Sequence, residues 1–435
     1  MNGYNTPFLD KIAEIAEKNS PRFFVPGHKG KEDALPFFGQ LTRWDITEID
    51  GADNLQHPEE LLQQSQKNMA RAYGAGATLY SAGGSTSCIQ AMLAMYVKEK
   101  DKVVMARNCH VSAVRALAFL DAEPVWVYPK DDKILPEDAE AALRESGARV
   151  LYITSPSYYG AICDIKALSE VCERNGAKLL VDNAHGAHLV LFGKHPITLG
   201  ADAAAESLHK TMPALTPAAQ LHLKNKEDEP RAKQMLNLFT STSPAYPVLC
   251  TIDWCAGLLL QKTRLQEKYE RAAAALREIQ ECCKELTLPM QDPCKLTLYP
   301  AKAGYTTKEV MKELKKNGIE PELCTDSHIV FMATGFSTEE DFEILRKALI
   351  QLTPKKPLTE EEFCYALPKI GCSIRVALLG GKKTVETKFA EGCISAQLVA
   401  PCPPGIPVLT PGEKITAETI KNLLKSGIFT VNVVL

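Results

Sequence analysis

The sequence predicts an α/β protein whose large domain has a mostly parallel sheet covered by helices, followed by small α+β C-terminal domains. Between about residues 80 and 225, short apolar runs rich in Val, Ile and Leu alternate with segments of helical periodicity. Such alternation is typical of a parallel sheet buried on both faces. The predicted strands are KVVMAR (102–107), PVWVY (124–128), RVLYIT (149–154), KLLVD (178–182), ADAAAES (201–207) and AQLHL (219–223), with helices at 85–98 and 164–175.

Four regions are predicted along the 435 residues. They are an N-terminal arm (1–40) with an amphipathic helix at 7–18, a large domain (41–255), a linking helix over 256–286 with a small α+β domain ending at 352, and a C-terminal domain (359–435). In the small domain, KLTLYPA, a helix near 307–317, HIVFMAT and a helix near 338–351 follow one another. The C-terminal domain holds ISAQLVA, the proline-rich PCPPGIPV and a last helix after Thr416.

Composition narrows the classes of function. Lys and Arg total 50 against 53 Asp and Glu, so the basic excess that nucleic-acid binding requires is missing. The first 19 residues hold no apolar block, which predicts a cytoplasmic protein without a secretory signal or membrane anchor. The 14 cysteines form no Cys-x-x-Cys pair, so we expect reduced, mostly buried thiols and no metal site.

Three motifs follow predicted strands. The first, Ala82-Gly83-Gly84-Ser85-Thr86-Ser87, opens a helix. Free backbone N–H groups at a helix start, the helix dipole and flanking hydroxyls together bind phosphate. The alternative is a serine-capped helix after a glycine turn, which statistics alone favour.

The second motif is Asp182-Asn183-Ala184-His185 after a buried strand, and the third is Ser207-Leu208-His209-Lys210 after the next one. An acid at a strand end suits the ring nitrogen of pyridoxal phosphate, and a lysine beside Ser and His suits an imine with that cofactor. The alternatives are a capping Asp, a structural His and an exposed loop lysine. Asp182 and Lys210 lie 28 residues apart, which places them on neighbouring strand ends.

The order of these motifs resembles the ornithine/lysine/arginine decarboxylase family of pyridoxal-phosphate enzymes, which has the aspartate aminotransferase fold (fold type I). Within that family the chain is similar to the short branch that lacks an N-terminal wing domain. The matching segments cover nearly the whole chain and are FFVPGHKG (23–30), DITEIDGADNL (45–55), YSAGGSTSCIQAML (80–93), RNCHVSAV (107–114), TSPSYYG (154–160), VDNAHGAH (181–188), SLHKTMPALT (207–216), TSTSPAYP (240–247) and CISAQLVAPCPPGIPVLTPGE (393–413).

The resemblance assigns roles residue by residue. It implies that region 41–255 binds the cofactor, that Lys210 forms the imine, that Asp182 pairs with the ring nitrogen and that His110 stacks on the ring. His185 is expected beside the ring and the substrate carboxylate, and the His28-Lys29 loop near the entrance. Phosphate-binding residues are expected to be Ser85, Thr86, Ser87, Ser207 and His209. Segment 240–247 is expected to reach the neighbouring subunit's site in a homodimer.

The resemblance implies decarboxylation of arginine, lysine or ornithine to an amine in polyamine biosynthesis. The alternatives are an aminotransferase or another pyridoxal-phosphate lyase of the same fold, and a non-catalytic regulator, which intact Lys210, Asp182 and His110 disfavour. Three positions depart from the family pattern: Gln397 stands where an acid is expected, Cys393 where Arg is expected and Cys402 where Tyr is expected. If that acid recognises a distal ammonium group, these departures affect substrate choice.

Overall fold

The computed structural model describes residues 3–18, 20–358, 369–400 and 407–435. The strands are β1 (Ala77–Ser81), β2 (Lys102–Ala106), β3 (Glu123–Val127), β4 (Val150–Thr154), β5 (Lys178–Asp182), β6 (Ala203–Glu206), β7 (Ala219–Leu223), β8 (Thr287–Leu288), β9 (Lys295–Leu298), β10 (Leu323–Cys324), β11 (Ile329–Met332), β12 (Lys382–Glu386) and β13 (Thr430–Val434). The helices are α1 (Pro7–Glu17), α2 (Leu41–Trp44), α3 (Leu61–Tyr73), α4 (Gly84–Tyr96), α5 (Val111–Leu120), α6 (Pro136–Ser146), α7 (Ile165–Arg174), α8 (Leu208–Thr211), α9 (Glu229–Phe239), α10 (Tyr246–Leu260), α11 (Lys262–Cys282), α12 (Thr307–Lys316), α13 (Glu339–Ile350), α14 (Ile374–Leu379) and α15 (Ala417–Lys425).

The large sheet has seven strands in the order β1-β7-β6-β5-β4-β2-β3. The pairs β2–β3, β2–β4 and β5–β6 are parallel, whereas β7 runs antiparallel to both β1 and β6. The predicted mostly parallel sheet is therefore confirmed. Its strands are buried along most of their length, because α/β sheets are covered on both faces.

The chain forms two compact units, one of residues Met1–Met95 and Leu179–Lys268 and the other of Tyr96–Lys178 and Tyr269–Leu435. In the first unit, α1 packs on α3 and α10. The carboxylate of Asp253 in α10 accepts from the backbone N–H groups of Phe8 (3.0 Å) and Leu9 (2.9 Å), so it binds the first turn of α1. This contact anchors the N-terminal arm.

The second unit holds two smaller sheets. One is four-stranded and antiparallel in the order β10-β11-β9-β8, and the other pairs β12 with β13. Apolar side chains of α11, α12 and α13 pack on the four-stranded sheet and form one core. A separate cluster around Leu409, Leu423 and Val433 is the core of the C-terminal segment.

Two elements differ from the sequence-based expectation. The structure has a buried strand β1 before the Gly83-Gly84 turn, where none was predicted. The predicted helix over 256–286 is instead two helices, α10 and α11, which meet at Gln261, a residue with non-helical backbone angles (φ −101°, ψ 49°). Residues 401–406 of the proline-rich run, including Cys402, lie outside the described residues. The predicted domain boundaries stay a prediction.

Among the residues that the structure describes, no helix has both the length and the apolar character needed to cross a membrane.

Candidate active site

Lys210 lies in the short helix α8, directly after β6 ends. Its Nζ is 3.0 Å from Nε2 of His185, within hydrogen-bond distance. Lys210 is exposed, while His185 is 6% exposed. An ammonium can only donate, so a charged Lys210 donates to an unprotonated Nε2 of the imidazole. The structure thus brings together two residues that the sequence singled out 25 positions apart.

Asp182 is the last residue of β5 and is 2% exposed. One of its carboxylate oxygens, Oδ1, accepts from the backbone N–H of Ala184 at 3.1 Å. Because β5 and β6 are parallel with Asp182 opposite Ala205, both strands end at the same edge of the sheet. Asp182 and the turn that carries Lys210 therefore emerge side by side, as their spacing predicted.

Two serines from distant segments meet where α4 begins. Ser207 Oγ donates to Ser85 Oγ at 2.7 Å, which joins the start of α8 to the first turn of α4. The first backbone N–H groups of a helix have no partner within that helix, so this end is suited to bind an anion. Gly84 has φ +75°, a left-handed conformation that glycine adopts without strain, and it turns the chain from β1 into α4.

Ser87 and Thr86 differ in their surroundings. Ser87 Oγ is buried, donates to the Gly84 carbonyl (2.9 Å) and lies 2.8 Å from Ser81 Oγ, so its hydroxyl holds the glycine turn together. Thr86 is exposed on the first turn of α4. The phosphate-binding roles of both remain predictions, and the geometry favours Ser85 and Ser207 over Ser87.

His209 makes a specific contact with the loop before β7. Its Nδ1 donates to the carbonyl of Ala218 at 2.8 Å, which leaves Nε2 as the only ring nitrogen available for another partner. Burial lowers the pKa of His209, and the nearby Lys210 charge lowers it further. Because the proton of the neutral ring lies on Nδ1, Nε2 can donate to a phosphate only when the ring is protonated on both nitrogens. The predicted role therefore requires the bound phosphate to raise the pKa of His209.

His110 belongs to the second unit, where it is the N-cap residue of α5. Its Nδ1 accepts from the Ser112 backbone N–H at 3.2 Å, and its ring is exposed. His28, in the first unit, has Nε2 3.1 Å from the carboxylate of Asp45, and Lys29 donates to the Phe24 carbonyl. Ring stacking by His110 and an entrance role for the His28-Lys29 loop stay predictions.

Two protein-family models match the chain. The family described as Orn/Lys/Arg decarboxylase, major domain, matches residues 6–288, and its C-terminal domain matches residues 375–427. The chain belongs to the ornithine/lysine/arginine decarboxylase family. This confirms the resemblance drawn from the motifs.

Two relatives from Bacillus subtilis match this decarboxylase-family chain over nearly its whole length. It is 29% identical to an arginine decarboxylase of Bacillus subtilis over 98% of this chain and 94% of that protein. It is 28% identical to an uncharacterized protein of the same organism, YaaO, over 96% of this chain and 94% of that one. Among solved structures, a lysine decarboxylase of Francisella novicida superposes with a TM-score of 0.81 at 16% identity, covering 100% of this chain and 82% of the other. That similarity confirms the fold.

The positions at which this family member departs from the pattern have structural contacts. Gln397 Oε1 accepts from the backbone N–H of Asn432 at 3.1 Å, so its side chain supports β13. Cys393 packs, partly buried, against the C-terminal core. In the observed geometry Gln397 therefore acts as a backbone support, and Cys402 lies outside the described residues.

The motifs assign no role to three buried charged residues: Arg107 and Glu413, which lie within the matching segments 107–114 and 393–413, and Glu206. Arg107, at the end of β2, pairs with Glu413 through two N–H groups, Nη1 at 2.5 Å and Nη2 at 3.0 Å. Glu206, the last residue of β6, is completely buried and hydrogen-bonded to His195 and His222. For Arg107 and Glu206 the sequence signal is a charged residue directly after an apolar run. Charged residues are rarely fully buried unless they are paired.

Proposed function

We propose that this protein is a pyridoxal-phosphate-dependent amino acid decarboxylase that carries its cofactor on Lys210. The observation that carries the proposal is the convergence at one sheet edge of Lys210 beside His185, Asp182 at the end of β5, and the Ser85–Ser207 pair at the start of α4. Membership of the decarboxylase family supports the same reaction.

The side chains at this edge fit pyridoxal phosphate chemically. An amine is available for the aldehyde, a buried carboxylate for the ring nitrogen, and two hydroxyls with a helix N-terminus for the phosphate. Each part of the cofactor thus has a complementary group. Bound pyridoxal phosphate supplies a protonated ring that accepts the electron pair left on Cα when carbon dioxide departs.

The residues of this chain have separate tasks in that reaction. Asp182 would hold a proton on the ring nitrogen of the bound cofactor, while Ser85 and Ser207 would hold its phosphate. His185 lies beside Lys210 and would help to orient the substrate carboxylate for cleavage. Lys210 or His185 then returns a proton to Cα.

Arginine, lysine and ornithine are the first candidate substrates. The arginine decarboxylase of Bacillus subtilis is one of the relatives, and lysine decarboxylases are among the similar structures. Gln397 replaces an expected acid, so neutral and acidic amino acids belong in the test as well. With a basic substrate the product is a diamine or agmatine-type amine, and we propose a role in polyamine biosynthesis in the cytoplasm.

A homodimer with shared active sites is part of the proposal. Phe23 is 95% exposed and Phe37 is 93% exposed, both in the segment between α1 and α2. Large exposed aromatic residues in one segment mark a surface that another chain covers. Ser241, Thr242 and Ser243 of segment 240–247 are also exposed, which leaves them available to a neighbouring subunit.

The test compares labelled carbon dioxide release with keto-acid formation over a panel of amino acids. We expect carbon dioxide release to exceed transamination by about a hundredfold, a difference of about 2.7 kcal/mol in barrier. Keto acid without carbon dioxide would support the aminotransferase alternative instead.

Borohydride treatment provides the matched measurement of the cofactor. The wild-type protein should yield a pyridoxyl peptide at Lys210, and Lys210→Ala should yield none while staying folded. Lys226→Ala, at an exposed lysine outside the site, is the control and should label like the wild type. A pyridoxyl group on another lysine in the wild type would contradict the assignment.

A further inference from the structure

A sealed polar cluster lies at the ends of β5, β6 and β7. It centres on Glu206 and includes four more side chains, all of them 0% exposed: Asn183, His195, Gln220 and His222. A buried carboxylate is costly unless N–H groups compensate for the lost water. The hydrogen bonds of this cluster show how the compensation is arranged.

Four N–H groups point at the Glu206 carboxylate. Oε1 accepts from His195 Nε2 (2.5 Å) and from Asn183 Nδ2, and Oε2 accepts from Gln220 Nε2 (2.9 Å) and His222 Nε2 (3.2 Å). Burial alone raises the pKa of Glu206, but the two imidazoles lower it well below its usual range. Glu206 is therefore an ionised carboxylate with both oxygens fully used.

The protonation of the two histidines follows from their other nitrogens. His195 Nδ1 accepts from the backbone N–H of Ile197 at 3.3 Å, so the ring proton lies on Nε2 and faces Glu206. His222 Nδ1 lies 2.8 Å from the hydroxyl of Thr78, which can donate to it, and burial lowers the pKa of His222. In this arrangement both rings donate to Glu206 through Nε2.

The alternative interpretation is a metal site, because the ligand atoms of the two histidines and the glutamate lie within 4.8 Å of one another. Zinc binds the unprotonated nitrogen of an imidazole. The Ile197 N–H fixes the unprotonated nitrogen of His195 as Nδ1, on the side away from Glu206. The geometry therefore favours a hydrogen-bonded clamp over a metal centre.

The clamp holds the strand ends from which the proposed cofactor residues emerge. Asn183 directly follows Asp182, Glu206 directly precedes Ser207, and Glu206 lies opposite Gln220 in the β6–β7 pair. We infer that Glu206 is a positioning residue, whose buried carboxylate fixes β5, β6 and β7 relative to one another and so places Asp182, Ser207 and Lys210 for the cofactor. The inference rests on the proposed function.

The first experiment measures the dissociation constant of pyridoxal phosphate for the refolded apoprotein. Glu206→Gln turns one accepting oxygen into a donor that faces other donors, so we expect at least a tenfold weaker binding and a shifted pH dependence of the visible absorption of bound cofactor. Glu227→Gln, at an exposed position after β7, should leave both unchanged. Wild-type affinity and spectrum in a folded Glu206→Gln protein would overturn the inference.

A milder variant covers the case in which Glu206→Gln does not fold. Gln220→Leu removes one N–H donor, and the other end of that amide, Oε1, has no hydrogen-bond partner to lose. We expect the same spectral shift and a smaller loss of affinity, about threefold. Circular dichroism checks the fold, and unchanged affinity in this folded variant would overturn the inference.

Nitrogen-15 NMR of labelled histidines tests the protonation pattern without any cofactor. His195→Gln and His222→Gln assign the two signals, and we expect both rings as the Nε2–H tautomer. An unprotonated Nε2 together with one equivalent of bound zinc would overturn the clamp. If the wild type binds no pyridoxal phosphate while the tautomers are as expected, it is the proposed function that fails.

Discussion

The proposed chemistry depends on the hydrogen-bonded pair of Lys210 and His185. The 3.0 Å contact places an exposed amine against a buried imidazole, so a proton can pass between two groups that both reach the same space. Asp182 places its carboxyl group at the end of β5, where it is shielded from water. The candidate site thus combines an exposed amine with buried polar groups, the arrangement that electrostatic preorganisation requires.

Asp182→Asn should keep bound cofactor but lower the rate of carbon dioxide release by a hundredfold or more, on the order of the cost of other electrostatic deletions. An amide cannot hold the ring nitrogen protonated, yet its oxygen can still accept from Ala184. Asp202→Asn is the matched control, because Asp202 accepts a backbone N–H from Leu179 at 2.9 Å at the other end of β5. Near-wild-type turnover in Asp182→Asn would show that the acid is misassigned.

The motifs identify single residues better than they identify their partners. Asp182 and Lys210 could be placed at neighbouring strand ends because a parallel sheet brings its carboxyl ends to one edge. The Ser85–Ser207 contact spans 122 positions and the Glu206 cluster combines three strands, so neither has a local sequence signal. Only the register of the paired strands determines which buried polar groups meet.

At the scale of elements, the pair Arg107–Glu413 ties the end of β2 to the C-terminal segment. Arg107 also donates to the carbonyls of Pro407 (3.1 Å) and Val408 (3.4 Å), and its guanidinium lies 4.8 Å from the Trp126 ring centroid. Both charged side chains are at most 3% exposed. His110 follows Arg107 by three residues, so this pair also fixes the start of the loop that carries His110.

Arg107→Met should lower the free energy of unfolding by about 3–5 kcal/mol, because it leaves Glu413 buried without its counter-ion. The double variant with Glu413→Met should recover much of that loss, since both charges are then gone. Urea unfolding measures both. Arg144→Met, which breaks a pair with an arginine that is 67% exposed, should cost less than about 1 kcal/mol. An equally small effect at Arg107 would contradict the role of the buried pair.

The anchor of α1 should depend on pH through Asp253. Burial raises the pKa of Asp253 to about 6 from a usual value of 3.8, although the N–H groups of Phe8 and Leu9 and the hydroxyl of Ser65 donate to its carboxylate and lower the pKa. A carboxyl whose pKa is raised on folding favours the folded state when protonated, so this contribution is complete below about pH 4 and is lost as pH rises through 6. Between those values the wild type should lose up to about 3 kcal/mol relative to Asp253→Asn. If the free energies of unfolding of the two proteins changed with pH in the same way, this prediction would be wrong.

Helices and strands were largely predictable because their periodicity is local. The strand β1 was not predicted. Its five residues end shortly before the Gly83-Gly84 turn, which was interpreted only as the start of a helix. No proline or glycine marks the break between α10 and α11 at Gln261. The sequence pattern therefore predicted one continuous helix. In both cases tertiary packing decided what propensity alone could not.

At the scale of the whole molecule, the proposed dimer accounts for apolar surface that the single chain leaves uncovered. Leu9, Trp44, Leu215 and Trp254 line one groove of the first unit, and almost all of its lining is apolar. Segment 240–247 connects α9 to α10 in that same unit. A second copy of the chain would bury such a surface in a symmetric, self-complementary interface.

Mixing two inactive variants tests whether the sites are shared. Lys210→Ala removes the imine-forming amine, and a variant altered at residues 240–243 removes the segment proposed to reach the partner's site; each homodimer should therefore be inactive. Random exchange makes about half of the dimers hybrid, and each hybrid retains one site with both intact parts, so about a quarter of wild-type activity should return. Carbon dioxide release after mild dissociation and reassociation measures this recovery. Mixing Lys210→Ala with Asp182→Asn is the control: one chain contributes both residues to a site, so every site in a hybrid carries one of the two defects and no activity beyond that of Asp182→Asn should return. Full activity of a dilute monomer, or no recovery in the first mixture although hybrids are seen by native mass spectrometry, would rule out shared sites.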